Sequence, residues 1–205
     1  WSVIWFMCTH PYPKIPCTAP TQHQLFDILW AEISKWKRNN KTLDSELIWT
    51  KEKLYMKGHA EEWFAVARTA STPDALQGFH AEHMLYIIDE ASGVEDKIFE
   101  PVLGALSTPG AKLLMCGNPT QLSGFFYDSH NKNREQYSTF HIDGRNSTRV
   151  SQEFVQTIIN MYVRIVMYSE FVLLVTFHWQ RMIFIYHFRW LRKALQQSTF
   201  QEGIR

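Results

Sequence analysis

Apolar residues recur along this chain in two rhythms, and the change from one to the other marks its elements. Trp1, Ile4 and Trp5 stand at helical spacing and the pattern stops before Pro11, so the sequence opens within a helix. Residues 14–20 form a short extended run. Thr21 with Gln24 three positions on has capping-box form, and the helix it opens carries Phe26, Leu29, Trp30, Ile33 and Trp36 on one face. A polar turn over 37–41 ends it. Residues 47–56 and 63–70 cluster or alternate apolar side chains over strand lengths, and 57–62 suits a hairpin connection. Thr72 and Pro73 mark a helix start. Residues 84–88 and 112–115 are short, nearly all-apolar runs, the pattern of parallel strands covered on both faces. Between them Ile98, Phe99, Val102, Leu103 and Leu106 mark an amphipathic helix with Pro101 as a bend. Residues 137–142 read as a further strand, and Ser151 starts a helix bearing Phe154, Val155, Ile158 and Ile159. Strands alternating with helices of these lengths predict an α/β domain.

Composition changes this picture little. With 205 residues, 45% of them hydrophobic, there is enough chain for one ordinary domain. A net charge of +1 without long charged runs means that any nucleic-acid contact has to be local. Cys8, Cys17 and Cys116 are too few and too scattered for a disulfide framework or a zinc site, which favours a reducing, intracellular setting. The most apolar stretch, residues 171–177, is seven residues long against the roughly 20 of a membrane span, so no membrane partner is expected.

Three segments carry candidate chemistry. The apolar run 85–88 ends in Asp89 and Glu90, which delivers two carboxylates to the C-terminal edge of a sheet, where open α/β folds bind ligands. In nucleotide hydrolases one acid at this place holds the Mg²⁺ shell and a second orients or deprotonates the attacking water. The plainer alternative is a strand running into an acid-rich helix start. The second segment is Gly117, Asn118, Pro119 and Thr120 after the next strand. A polar group there can sense a γ-phosphate, and a simple turn is the alternative. The third is Ala19, Pro20, Thr21 and Gln24, a strand entering a helix whose N-terminus can hold an anion; an ordinary capped helix is the alternative. Arg68, after an apolar strand, is a candidate finger onto phosphate, with a surface ion pair as the other reading. Residues 77–80 form a candidate substrate-facing loop, or a plain turn. His80 and His83 have no carboxylate or Cys companions that would make a metal site.

Taken in order, these segments resemble the large subunits of phage and prophage terminases. The likeness runs from about Trp5 to Tyr162, through residues 19–24, 68–91, 116–129 and 150–154. It implies a P-loop NTPase-type, mostly parallel sheet flanked by helices. It implies Asp89 as the Walker B acid holding Mg²⁺ through water, and Glu90 as the catalytic carboxylate. Gly117, Asn118, Pro119 and Thr120 match the segment that couples hydrolysis to DNA movement, and Ala19–Gln24 match the motif after the first helix. The expected cofactors are ATP and Mg²⁺. The expected partners are double-stranded DNA, the portal ring and the small terminase subunit, with a ring oligomer in the cytoplasm of a bacterial host.

Two features depart from that family. A Walker A loop needs Gly-x-x-x-x-Gly-Lys-Ser/Thr, and no Gly-Lys pair occurs in the sequence, so the strand and loop that bind phosphate are expected to be missing. Residues 163–202 contain no Gly, Pro, Asn or Asp and keep neither helical nor strand period. Back-translated and read one base earlier, residues 163–183 permit a run like the one terminases carry after a tyrosine in the place of Tyr162. The sequence therefore divides into a partial ATPase domain, 1–162, and a frameshift product, 163–205; the alternative is a true amphipathic or membrane-surface helix. The nuclease domain of full-length terminases is expected to lie beyond these residues. The expected function is that of a DNA-packaging motor fragment, inactive alone. The other readings are a non-catalytic DNA- or portal-binding remnant and a different P-loop ATPase such as a helicase.

Overall fold

A computed structural model describes residues 1–143, 148 and 150–168. The chain divides into two units, one of residues 1–117 and 121–132, the other of 118–120 and 133–205.

The first unit is built on a six-stranded sheet in the order β2-β3-β4-β1-β5-β6. Its strands are β1 (Lys14–Thr18), β2 (Leu47–Trp49), β3 (Lys53–Met56), β4 (Phe64–Ala67), β5 (Leu85–Ile88) and β6 (Lys112–Met115). β1 lies between β4 and β5 and pairs in parallel with both, and β5 pairs in parallel with β6. β2 and β3 add an antiparallel meander at the far edge. The α/β class and the mostly parallel sheet follow the sequence expectation.

Helices cover both faces because β5 sends alternate side chains to opposite sides. Leu85 and Ile87 join a core with α1 (Ser2–Thr9) and the long helix after β1, whereas Tyr86 and Ile88 pack with α4 (Phe99–Ala105). Pro101 falls in the first turn of α4, where a missing N–H costs nothing, so it does not act as a bend. The antiparallel pairing of β3 with β4 is the hairpin expected over 57–62. Residues 47–56, however, form two strands rather than one: Thr50 makes a tight turn, its hydroxyl donating to Lys53 O at 2.9 Å and accepting from Lys53 N at 3.0 Å.

Three further expectations are corrected. β6 is not covered on both faces; exposed and half-buried residues alternate along it, with Leu114 38% exposed, because it is the end strand of the sheet. The helix after β1 does not keep a 3.6 period. It is π-wound over Gln24–Trp30 before α2 (Ala31–Arg38), and the two fully buried side chains of that stretch, Leu25 and Trp30, are five residues apart. Trp36, expected on the apolar face, is exposed. Residues 137–142 form no strand, and Phe140 and Ile142 are exposed, since alternation along a segment makes no ladder without a partner strand.

In the second unit α6 spans Gln152–Tyr168, and Ser151 Oγ caps it by accepting from Phe154 N at 3.1 Å. The reading of residues 163–205 as a frameshift product lies outside the described residues from 169 onward.

Candidate functional site at the C-terminal edge of the sheet

Because β4, β1, β5 and β6 run in parallel, their C-terminal ends share one edge. Backbone bonds carry the register past the strand ends: Arg68 N donates to Cys17 O, Asp89 N to Thr18 O and Cys116 N to Ile88 O, each at 2.9–3.0 Å. Arg68, Ala19, Asp89 and Cys116 therefore emerge side by side. The chain after β1 turns to the helix on one face, while the chain after β5 turns to α4 on the other. Strand ends where the chain diverges in this way are the usual ligand position in open α/β sheets.

Asp89 is half-buried, and its Oδ1 accepts two hydrogen bonds, from Glu90 N at 3.1 Å and from Cys116 Sγ at 3.2 Å. Although Cys116 as a residue is exposed, its sulfur is drawn against Asp89. Burial of the sulfur, reinforced by the Asp89 carboxylate, pushes the thiol up to about 12. Cys116 was not singled out by the sequence, since its contact depends on a register linking residues 27 positions apart.

Glu90 adopts the left-handed conformation, φ 48° and ψ 43°, which costs a non-glycine residue on the order of 1 kcal/mol. Bonds on both sides hold it there: Ala91 N donates to Cys116 O and Gly93 N to Glu90 O, both at 2.9 Å. This bend ends β5 and starts the short 3₁₀ turn Ala91–Gly93. Gly117 is the matching piece. At φ 158° it leans on the bend so closely that a Cβ would stand 2.9 Å from Ala91 N and 3.0 Å from Glu90 Cα.

The Ala19–Gln24 segment leaves the same edge from β1. Ala19 is fully buried, and Gly93 abuts Pro20, with a Cβ on Gly93 falling 2.9 Å from Pro20 Cγ. Thr21 Oγ1 accepts from Gln24 N at 3.2 Å and donates to Gln24 Oε1 at 2.9 Å, so the hydroxyl cap expected from the sequence is made. Arg68 is half-buried, and its guanidinium donates to Ala67 O at 3.3 Å; among the described residues it has no carboxylate partner, so the surface ion pair is not seen. Thr18, fully buried at the end of β1, has an Oγ1 without a hydrogen-bond partner among the described residues.

The structure thus brings Asp89, Glu90, Cys116 and Gly117 together, with Pro20 against Gly93 in the turn that follows. Asn118, Pro119 and Thr120 fall in the second unit, where Thr120 N donates to Asn118 O at 2.7 Å. The loop at 77–80 lines a separate cavity of about 310 Å³ on the α4 side of the sheet. Among the described residues no three His, Cys, Asp or Glu side chains gather as a metal cage. Asp89 and Glu90 instead offer hard oxygen donors beside open solvent, a donor set that suits an ion keeping most of its own waters, as Mg²⁺ does. Among the described residues no helix is long and apolar enough to cross a membrane.

No family model matches the chain. Over 59 residues it is 54% identical to the probable terminase large subunit of Enterobacteria phage P7, a match spanning 29% of this chain and 12% of that protein. The solved large terminase of a thermophilic bacteriophage has the same fold, with a TM-score of 0.58 at 14% identity over 78% of this chain and 40% of that one. The same phage's terminase in complex with ADP matches with a TM-score of 0.55 at 15% identity, covering 78% of this chain and 39% of that one. A stretch of close sequence identity and a shared fold point the same way: the chain is similar to phage terminase large subunits, and it spans less than half the length of those it matches.

Proposed function

We propose that the chain carries the acidic side of the ATP site of a DNA-packaging motor. Asp89 holds the hydration shell of a Mg²⁺ that accompanies ATP, and Glu90 orients the attacking water and takes its proton. The observation that carries this reading is the arrangement of the two carboxylates. Asp89 is anchored at the end of a strand inside the sheet, and Glu90 is held in a strained bend directly after it. When bound, Mg²⁺ neutralises charge on the β- and γ-phosphate oxygens. Arg68 and the capped helix start at Thr21 stand at the same sheet edge and suit the phosphates as anion partners.

Gly117 to Thr120 follow β6 at this edge, and by their resemblance to the terminase coupling segment they pass hydrolysis on to DNA movement. The ADP complex of the thermophilic phage's terminase supports a nucleotide as the ligand class. In the assembled motor the partners are double-stranded DNA, the portal ring and the small subunit, with the chain acting in a ring. The sequence has no Gly-Lys pair, so most phosphate contacts of such a site are not supplied by these 205 residues. By itself the chain binds the divalent cation and does not turn over ATP.

Titration of Mn²⁺ into the full chain, followed by electron paramagnetic resonance, tests this reading. Binding by the wild type that weakens about tenfold or more in Asp89→Asn is expected. Equal binding by both proteins would remove Asp89 from the cation site.

A further inference from the structure

Both donors at the strand end go to one oxygen of Asp89. Glu90 N reaches Oδ1 at 3.1 Å and Cys116 Sγ reaches it at 3.2 Å. The main chain of Cys116 is itself held on both sides. Cys116 N donates to Ile88 O at 3.0 Å, and Cys116 O accepts from Ala91 N at 2.9 Å, so the residue is tied to the chain on both sides of Asp89. Two donors at one carboxylate oxygen set the rotation of the group and leave Oδ2 as the oxygen that faces a cation or its water. Neighbours that orient a metal-bound carboxylate in this way commonly matter about 10–100-fold for metal affinity.

We infer that Cys116 is a positioning residue for Asp89: its thiol holds Oδ1 in the strand end so that Oδ2 is presented to the divalent cation. The inference rests on the reading of Asp89 as the cation-shell acid. The role is that of a hydrogen-bond donor, so a hydroxyl serves in place of the thiol and a methyl group does not. It also explains why a residue beyond the exposed end strand has its sulfur turned inward.

Two measurements on the full chain in a Cys8→Ser background test it; Cys17 is fully buried, leaving Cys116 as the reactive thiol. The first reads the contact alone. Alkylation of Cys116 by iodoacetamide at pH 8 is expected to speed up about tenfold in Asp89→Ala, which removes the acceptor that holds the sulfur inward. An unchanged rate overturns the inference. The second reads positioning. Mn²⁺ affinity is expected to fall about tenfold in Cys116→Ala and to recover in Cys116→Ser. Equal affinity in Cys116→Ala and wild type overturns the positioning role while leaving the cation site in place. A wild type that binds no Mn²⁺ overturns the cation reading and this inference with it, and the alkylation rates still report whether the thiol touches Asp89. Thermal unfolding of each variant shows whether a loss of affinity reflects a loss of fold; a Cys116→Ala chain that loses Mn²⁺ only through unfolding also counts against the inference.

Discussion

Gly117 lies against the backbone of Glu90 with no room for a side chain: a Cβ would stand 3.0 Å from Glu90 Cα and 2.9 Å from Ala91 N. The bend at Glu90 and the segment leaving β6 are therefore one packed unit. Gly117→Ala has to displace backbone rather than a flexible side-chain tip, and a loss of about 1–3 kcal/mol is expected in urea unfolding. A change within about 0.5 kcal/mol would show that the bend is not pressed by Gly117.

Gly93 and Gly104 form a contrasting pair. Gly93 abuts Pro20, whereas a Cβ on Gly104, inside α4, meets nothing within 4 Å. Gly104→Ala is expected to stabilise by about 0.5–1 kcal/mol through helix propensity. Gly93→Ala is expected to destabilise, because the Pro20 ring cannot swing aside. The two melting temperatures should move in opposite directions; a rise in both would remove the contact between the Ala19–Gln24 segment and the turn after Glu90.

Thr18 buries a hydroxyl that no neighbour among the described residues satisfies. An unpaired buried donor costs about 1–3 kcal/mol, and valine has nearly the same shape without it. Thr18→Val is therefore expected to raise stability in chemical denaturation by on the order of 1 kcal/mol. A loss of similar size would mean that the hydroxyl has a partner in solution.

Burial pushes the Cys17 thiol up, and the nearby Asp89 charge adds to the effect. The folded chain then keeps a proton that the unfolded chain releases once the pH passes about 8.5. Stability from this source is full below that pH and falls as the pH rises through the alkaline range. Urea midpoints measured between about pH 8 and pH 10 should drop less steeply in Cys17→Ala than in the wild type. Parallel slopes would place the Cys17 thiol in contact with water.

The parts of this fold that the sequence reveals are those set by local composition. The runs at β5 and β6 are apolar and short, and each stops at a polar or glycine residue, so their ends are legible together with Asp89, Glu90 and Gly117. The Thr21 cap is legible because its partner, Gln24, lies three residues away. What fails is whatever depends on distant partners. The π-winding that buries Leu25 and Trp30 together breaks the helical period on which the apolar face was read. The half-exposed face of β6 follows from its place at the end of the sheet, and Cys116 meets Asp89 only through the pairing of β5 with β6.

The central claim is that Asp89 and Glu90 form the acidic side of an ATP site most of whose phosphate contacts these 205 residues do not provide. Steady-state release of phosphate from Mg²⁺-ATP by the purified chain, measured beside Glu90→Gln, tests it most directly. Both proteins are expected to match the protein-free background. Turnover by the wild type that Glu90→Gln abolishes would contradict the account, because the carboxylate pair would then be working without a Gly-Lys loop.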